Sequence, residues 1–217
     1  MNGFSSLYAP PGMGTVYRAA LDALAQYGPR RTGVTHIARL ADTNRPFIYR
    51  NWPSAQALVR AATLRELERV LDVARDAPGP LPPPRCHAVR VVVRAARILR
   101  EHPVVATMAR TEPALTHTAV LRLSTVWHDT AWHWLSKHVT GHLPPGAAQD
   151  TATLAVLTTA LPYALTPPGL PAVPAERAAV DERLSTALHL CLEASVPCPD
   201  CPDRTDRTDR EFPGPST

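Results

Sequence analysis

Two prolines seven residues apart, Pro46 and Pro53 in TNRPFIYRNWPSAQAL (residues 43–58), set the sharpest limit on how this chain can fold. The residues around them read as helix, and a proline in a helix interior costs about 3 kcal/mol through a lost hydrogen bond and a ring clash. That cost largely disappears in the first turn, where the missing N–H would have had no intrahelical partner. With Asn44 as N-cap, Pro46 becomes the second helical residue. The helix stops at Trp52, and Pro53-Ser54 opens the next one. Both prolines therefore mark helix starts, and the helix between them is short.

The residues upstream place a second short helix before this one. TVYRAALDALAQYG carries Val16, Ala20, Leu24 and Tyr27 on one face and is stopped by Gly28-Pro29. RTGVTHIARLADTN then gives a helix with Val34, Ile37, Ala38 and Leu40 inward, and the chain turns over Ala41-Asp42-Thr43. Two short helices joined by a turn of about three residues have the shape of a helix-turn-helix, whose second helix enters the DNA major groove. Ordinary bundle packing produces the same spacing. On the DNA reading Arg45 reaches guanine O6/N7 or a phosphate, Phe47 a thymine methyl, and Tyr49 a phosphate. Asn44 and Arg50 belong to the same surface. Thr32, Gly33 and Thr35, at the start of the first short helix, offer backbone N–H groups to another phosphate. Ile37, Ala38, Ile48 and Leu58 hold the unit together.

Charge points the same way. Residues 15–60 contain seven arginines and two aspartates, a local excess larger than the +4 of the whole chain. A basic module on a near-neutral body is the electrostatic footprint of a nucleic-acid binder; it also fits a merely solvated basic face.

The rest of the chain reads as helix punctuated by proline and glycine. DAPGPLPPPR (76–85) is a stiff linker, because clustered prolines fit neither helix nor paired strand. Helical patterns follow around Val89, Val93, Ala96 and Leu99, in VVATMAR after Pro103, from Pro113 to about Val139, over 147–165 with Pro162 kinking or ending it, and over 174–195. The arginine stripe Arg90, Arg94, Arg97 reads as a solvated face. The last pattern has an apolar stripe of Val180, Leu184, Ala187, Leu188 and Cys191, and Cys86 and Cys191 both read as small core residues. No segment alternates as a strand does, so the expected fold is all-α. Residues 1–14 and 196–217 read as a disordered arm and tail.

Several function classes find no support. No apolar run reaches the roughly 18 residues of a membrane span, and the N-terminus lacks the basic start and apolar block of a signal peptide, so a cytoplasmic location with no membrane partner is expected. Four cysteines make no disulfide framework in a chain this long, and the CPDC pair at Cys198 and Cys201 lacks a second ligand pair, so no metal or cofactor is expected. No nucleophile, base and carboxylate set suggests an enzyme. VWHDTAWHWLSKHVTGH holds three of the four tryptophans and four of the nine histidines. Either Trp127 and Trp134 form an aromatic pocket wall with His128 or His133 as a polar tip, or the helix simply fills a core with histidines at its edges.

The run VYRAALDALAQYG…TGVTHIARLADTNRPFIYRNWPSAQALVRAA resembles the N-terminal domain of tetracycline-repressor-type (TetR family) transcriptional regulators. The features that carry the likeness are Val34-x-x-Ile37-Ala38, Ala41 before the turn, Ile48-Tyr49 in the second helix, then Trp52, Pro53-Ser54 and Ala57-Leu58. It departs from the family pattern at Asp42, where glycine is usual, at Gly33, where a capping Ser/Thr is common and Thr32 or Thr35 is expected to take over, and at Ala55, where a lysine often stands. The resemblance implies a helix-turn-helix DNA-binding domain over 15–62 with Arg45, Phe47 and Tyr49 toward DNA. It also implies a helical regulatory and dimerisation domain over 63–195, whose last two helices pair with those of a second copy. Met108 and Arg110 fall where related regulators line an effector pocket or transmit its state. The implied function is a ligand-responsive homodimeric repressor of a palindromic operator; the alternative is a TetR-like interaction module that has lost useful DNA affinity, as Gly33 and Ala55 would allow.

Overall fold

A computed structural model describes residues 12–76, 84–112, 125–165 and 174–192. Residues 1–11 of the expected arm, the tail with Cys198 and Cys201, most of the linker, and residues 113–124 of one helical pattern lie outside the described residues. All secondary structure among the described residues is helical: α1 (Met13–Tyr27), α2 (Val34–Leu40), α3 (Arg45–Asn51), α4 (Ala55–Arg75), α5 (Pro84–Arg100), α6 (Pro103–Thr111), α7 (Thr125–His138), α8 (Ala147–Leu165) and α9 (Pro174–Leu192). None of them is long and apolar enough to cross a membrane.

Local chemistry sets most of the boundaries. Gly28 ends α1 with φ 75°, and its N–H donates to Leu24 O at 2.9 Å. Glycine is needed there twice over, because a Cβ would also lie 2.9 Å from Thr111 Oγ1 on α6. Asn44 caps α3 by accepting from Phe47 N at 2.8 Å, with Pro46 in the first turn as expected. Ser54 caps α4 in the same way, accepting from Ala57 N at 3.1 Å. Two boundaries differ from the sequence reading. Helix α1 starts at Met13, inside the segment read as a disordered arm. Pro84 already opens α5, since the first helical turn tolerates proline, so the helix begins inside the segment read as linker. Pro162 does not end α8, which continues to Leu165. Within the long pattern read from Pro113 to Val139, the described helix is α7.

Two apolar cores result. The first gathers Val16, Ala20, Ile37, Ala38, Ile48, Trp52 and Leu58 from α1 to α4. The second gathers Leu67 and Leu71 of α4, the valines of α5, Trp134 and Leu135 of α7, Val156 of α8, and Leu184 and Leu188 of α9. Helix α5 packs on α4, α8 and α9 and forms the centre of this body. Helix α4 contributes to both cores and so joins the two units.

Two readings of side chains change. The buried line of α9 is Asp181, Leu184, Leu188 and Leu192, whereas Cys191 is exposed, its thiol 3.4 Å from Thr159 Oγ1. Cys86 is buried, as read. The arginine stripe of α5 is not simply solvated. Arg94 donates to Ala74 O at 3.0 Å, and Arg97 donates to Asp181 Oδ2 at 2.6 Å. Buried Arg100 donates to Asp181 Oδ1 at 2.8 Å and to Tyr163 O at 3.2 Å, tying α5 to α8 and α9.

Candidate nucleic-acid interface and ligand cavity

Helix α2 ends in a left-handed residue, Asp42, at φ 48°. Thr43 N donates to Ala38 O at 2.9 Å and Asp42 N faces Arg39 O at 3.4 Å, which is the Schellman pattern that closes a helix and redirects the chain. Aspartate tolerates this conformation better than most residues with a Cβ, though less well than glycine. The turn packs α2 against α3 through Ile37, Ala38 and Ile48. With Ile48 fully buried, the opposite face of α3 points outward: Arg45, Tyr49 and Arg50 are exposed, Tyr49 at 57%. Phe47 is half-buried and packs partly on the first core, and Asn44 spends its side chain on the cap. Arg50 Nε is 3.4 Å from Pro46 O, a weak tie that leaves its terminal nitrogens outward.

The start of α2 differs from the sequence reading. Gly33 is the N-cap, and no side chain caps this end, so neither Thr32 nor Thr35 takes over that role. Thr32 is buried, and its hydroxyl lies 2.7 Å from Gly28 O and 3.3 Å from Ala23 O. A hydroxyl has one proton to donate, and here it braces the α1–α2 turn, so the Thr32 side chain is not free for a phosphate. Gly33 and exposed Thr35 remain at the surface.

Helix α6 anchors the helix-turn-helix unit to the body. Thr107 Oγ1 donates to Ala25 O at 2.6 Å, and Arg30 pairs with Glu112 at 2.6 Å. Arg110, which is exposed, lies 3.4 Å from Thr107 Oγ1 and half-buried Met108 is its neighbour on α6.

Between α4, α5, α6, α7 and α8 the body forms a half-open cavity of about 120 Å³. Trp127, Ala131 and Trp134 face it from α7, following the i, i+4, i+7 spacing of one helix face. Trp134 also belongs to the second core, so the pocket-wall and core-filling readings of these tryptophans coexist. The other residues expected at a pocket lie elsewhere. His128 turns away from Trp127 and stacks on Trp132, with ring centroids 5.7 Å apart. Met108 and Arg110 are not in the lining, because α6 presents Val104 and Val105 to the cavity one turn earlier and its later residues to α1.

Sequence reasoning missed the polar edge of the cavity. Glu66 on α4 receives Arg69 Nε at 2.9 Å and Arg69 NH2 at 2.6 Å, and His102 Nε2 lies 3.2 Å from its Oε1. These donors, Arg69 first, hold the Glu66 carboxyl below the ordinary range, against the opposing effect of burial. His102 Nδ1 accepts from Val104 N at 3.2 Å and caps α6. Because Nδ1 accepts, the network assigns the proton to Nε2, which donates to Glu66. Pro103 at the first helical position was the available signal, since it marks the residue before it as a cap.

Residues 16–62 match the family described as bacterial regulatory proteins, tetR family. Over 65 residues the chain is 32% identical to an uncharacterized HTH-type transcriptional regulator of Mycobacterium tuberculosis, covering 30% of this chain and 33% of that one. A comparable regulator of Mycobacterium bovis is 33% identical over 58 residues, covering 27% and 31%. These matches thus span about a third of the relatives' length. Among solved structures, a transcriptional regulator from Rhodococcus sp. RHA1 superposes with a TM-score of 0.54 at 16% identity, covering 83% of this chain and 95% of that one. A transcriptional regulator from Streptomyces coelicolor A3(2) gives 0.52 at 20% identity, covering 82% and 99%. At such identities the likeness is one of fold.

Proposed function

The N-terminal domain of this chain belongs to the tetR family of bacterial regulatory proteins, and from that premise we infer that the protein is a cytoplasmic homodimeric repressor that binds double-stranded DNA at a palindromic operator and responds to a small ligand. The observation that carries this reading is the outward face of α3, where Arg45, Tyr49 and Arg50 stand exposed on a helix held by a capped, Schellman-closed turn. Arg45 reads guanine or grips a phosphate, Phe47 meets a thymine methyl, Tyr49 and Arg50 hold phosphates, and the backbone at Gly33 and Thr35 offers a further anchor. Residues 15–62 form the DNA-binding unit and 63–195 the regulatory and dimerisation unit, with α8 and α9 facing a second copy. Two-fold pairing matters because one such helix makes few contacts, and two half-sites about 34 Å apart add theirs together.

The effector site is the cavity walled by Trp127 and Trp134. A ligand there releases DNA only if it binds better to the arrangement in which the recognition helices no longer fit successive major grooves. Helix α4 lines the cavity and enters both cores, so a shift of α4 moves the reading head.

The test is binding to DNA flanking the protein's own gene. Affinity should fall steeply with salt as phosphate contacts release counterions. Arg45→Ala or Tyr49→Ala should each weaken specific binding by about tenfold or more, at unchanged folding stability. A wild-type protein that prefers no sequence over random DNA at moderate salt would overturn the repressor reading. It would favour an interaction module instead, consistent with the missing cap side chain at Gly33 and with Ala55, which is buried and offers no charge.

A further inference from the structure

Resting on the ligand-responsive reading, we propose that the cavity takes an uncharged, hydrocarbon-rich molecule of about one aromatic ring or an alkyl chain of like volume, carrying at most one hydrogen-bond donor. Size comes first. The cavity holds about 120 Å³, and an apolar cavity of about 150 Å³ is known to stay dry and to accept benzene. Water is a poor occupant of such a space, because each molecule needs two to four polar partners.

Charge comes next. Among the described lining residues there is no lysine or arginine, and the polar side chains besides the two indoles are Thr63, Glu66 and His102. Each of these is largely committed. The Thr63 hydroxyl donates to Val59 O at 2.8 Å. Both ring nitrogens of His102 are used, one toward Glu66 and one toward Val104 N. Glu66 already accepts two bonds from Arg69 and one from His102, which leaves a carboxylate lone pair as the spare capacity at this edge. A carboxylate accepts and cannot donate, so a ligand group that meets Glu66 is a hydroxyl or N–H; the indole N–H of Trp134, a lining residue, is buried without a partner and is a further unused donor. An anion would enter beside Glu66 with no cation to meet it. An alkylammonium would add positive charge where Arg69 already balances Glu66, and an unbalanced buried charge is costly.

A series of one shape and four polarities tests this on the full-length protein: toluene, benzyl alcohol, benzoate and benzylammonium, followed by tryptophan fluorescence and thermal melting. Toluene and benzyl alcohol should saturate the fluorescence change and raise Tm, with benzyl alcohol at least as tight. Benzoate and benzylammonium should bind at least about tenfold more weakly, since each leaves a charge unpaired in an apolar space. A charged probe that binds as tightly as toluene, or no saturable binding by any of the four, overturns the proposal. Ala160→Phe, which fills the cavity from α8, should abolish the toluene response while own-gene DNA binding persists; Ala131→Leu from α7 repeats the test at a second wall. Toluene binding unchanged in a folded variant places the site elsewhere and also overturns the proposal. Failure of the underlying reading looks different. Toluene that saturates the cavity without changing DNA affinity sinks ligand-responsive regulation and leaves the ligand class standing.

Discussion

The two cores of this protein are packed for opposite purposes. In the N-terminal unit seven of the thirteen buried residues are alanines, so α1 to α4 approach closely and little side chain is left to rearrange. The body is built from valine, leucine and tryptophan around a hollow of about 120 Å³. A tightly packed unit holds a surface in one shape, as a reading head requires, whereas a hollow one can gain energy by admitting something. The two meet in α4, which buries Leu58 and Ala62 in one core and Leu67 and Leu71 in the other.

The largest expected effect lies in the body's polar tie. Asp181→Ala leaves Arg100, only 3% exposed, as an uncompensated buried charge, and should cost about 3–5 kcal/mol in urea unfolding. A cost under about 1 kcal/mol would mean that α5 and α9 are held by apolar packing alone. Next, Ile48→Ala in the tight core should cost about 3–4 kcal/mol, and Leu157→Ala at the cavity wall about 2, because the second merely enlarges space already present. Equal costs would erase the contrast between the cores.

Smaller effects sharpen the helix-turn-helix side. Asn44→Ala should lose about 1 kcal/mol with its cap, and Asp42→Gly should gain about 0.5–1 kcal/mol by relieving the left-handed residue. A Tm that falls for Asp42→Gly would mean that the Asp42 side chain supports the turn in a way its backbone angle does not reveal. The smallest effect concerns pH. Because the folded state holds the Glu66 carboxyl below its ordinary range, its contribution is fully present above that range and is lost as pH falls through the lowered value. A stability profile in acid that is identical for wild type and Glu66→Gln would show that the Arg69 and His102 contacts contribute nothing.

The N-terminal unit was legible because its signals are local. Pro46, Asn44, Pro53 and Ser54 punctuate helices within a few residues of where they stand, and each cap bond appears where the sequence places it. The body was legible as helices but not as a site. The shared face of Trp127 and Trp134 is legible from their spacing, whereas Glu66 and His102, 36 positions apart, meet only when α4 packs beside the start of α6. Met108, Arg110 and His128 were placed by analogy of position or by chemical type, and packing turned each of them away from the cavity.

The sequence alone therefore determined the all-helical class, the helix starts, the basic reading head and the outward face of α3, because caps, prolines and 3.6-residue periodicity act along the chain. Only the tertiary structure decided that the arginines of α5 serve Asp181 and Ala74, and that the body is hollow beside Glu66 and His102. Those outcomes depend on which helix faces lie against one another. Contacts between residues distant in sequence set them, and no local pattern encodes such contacts.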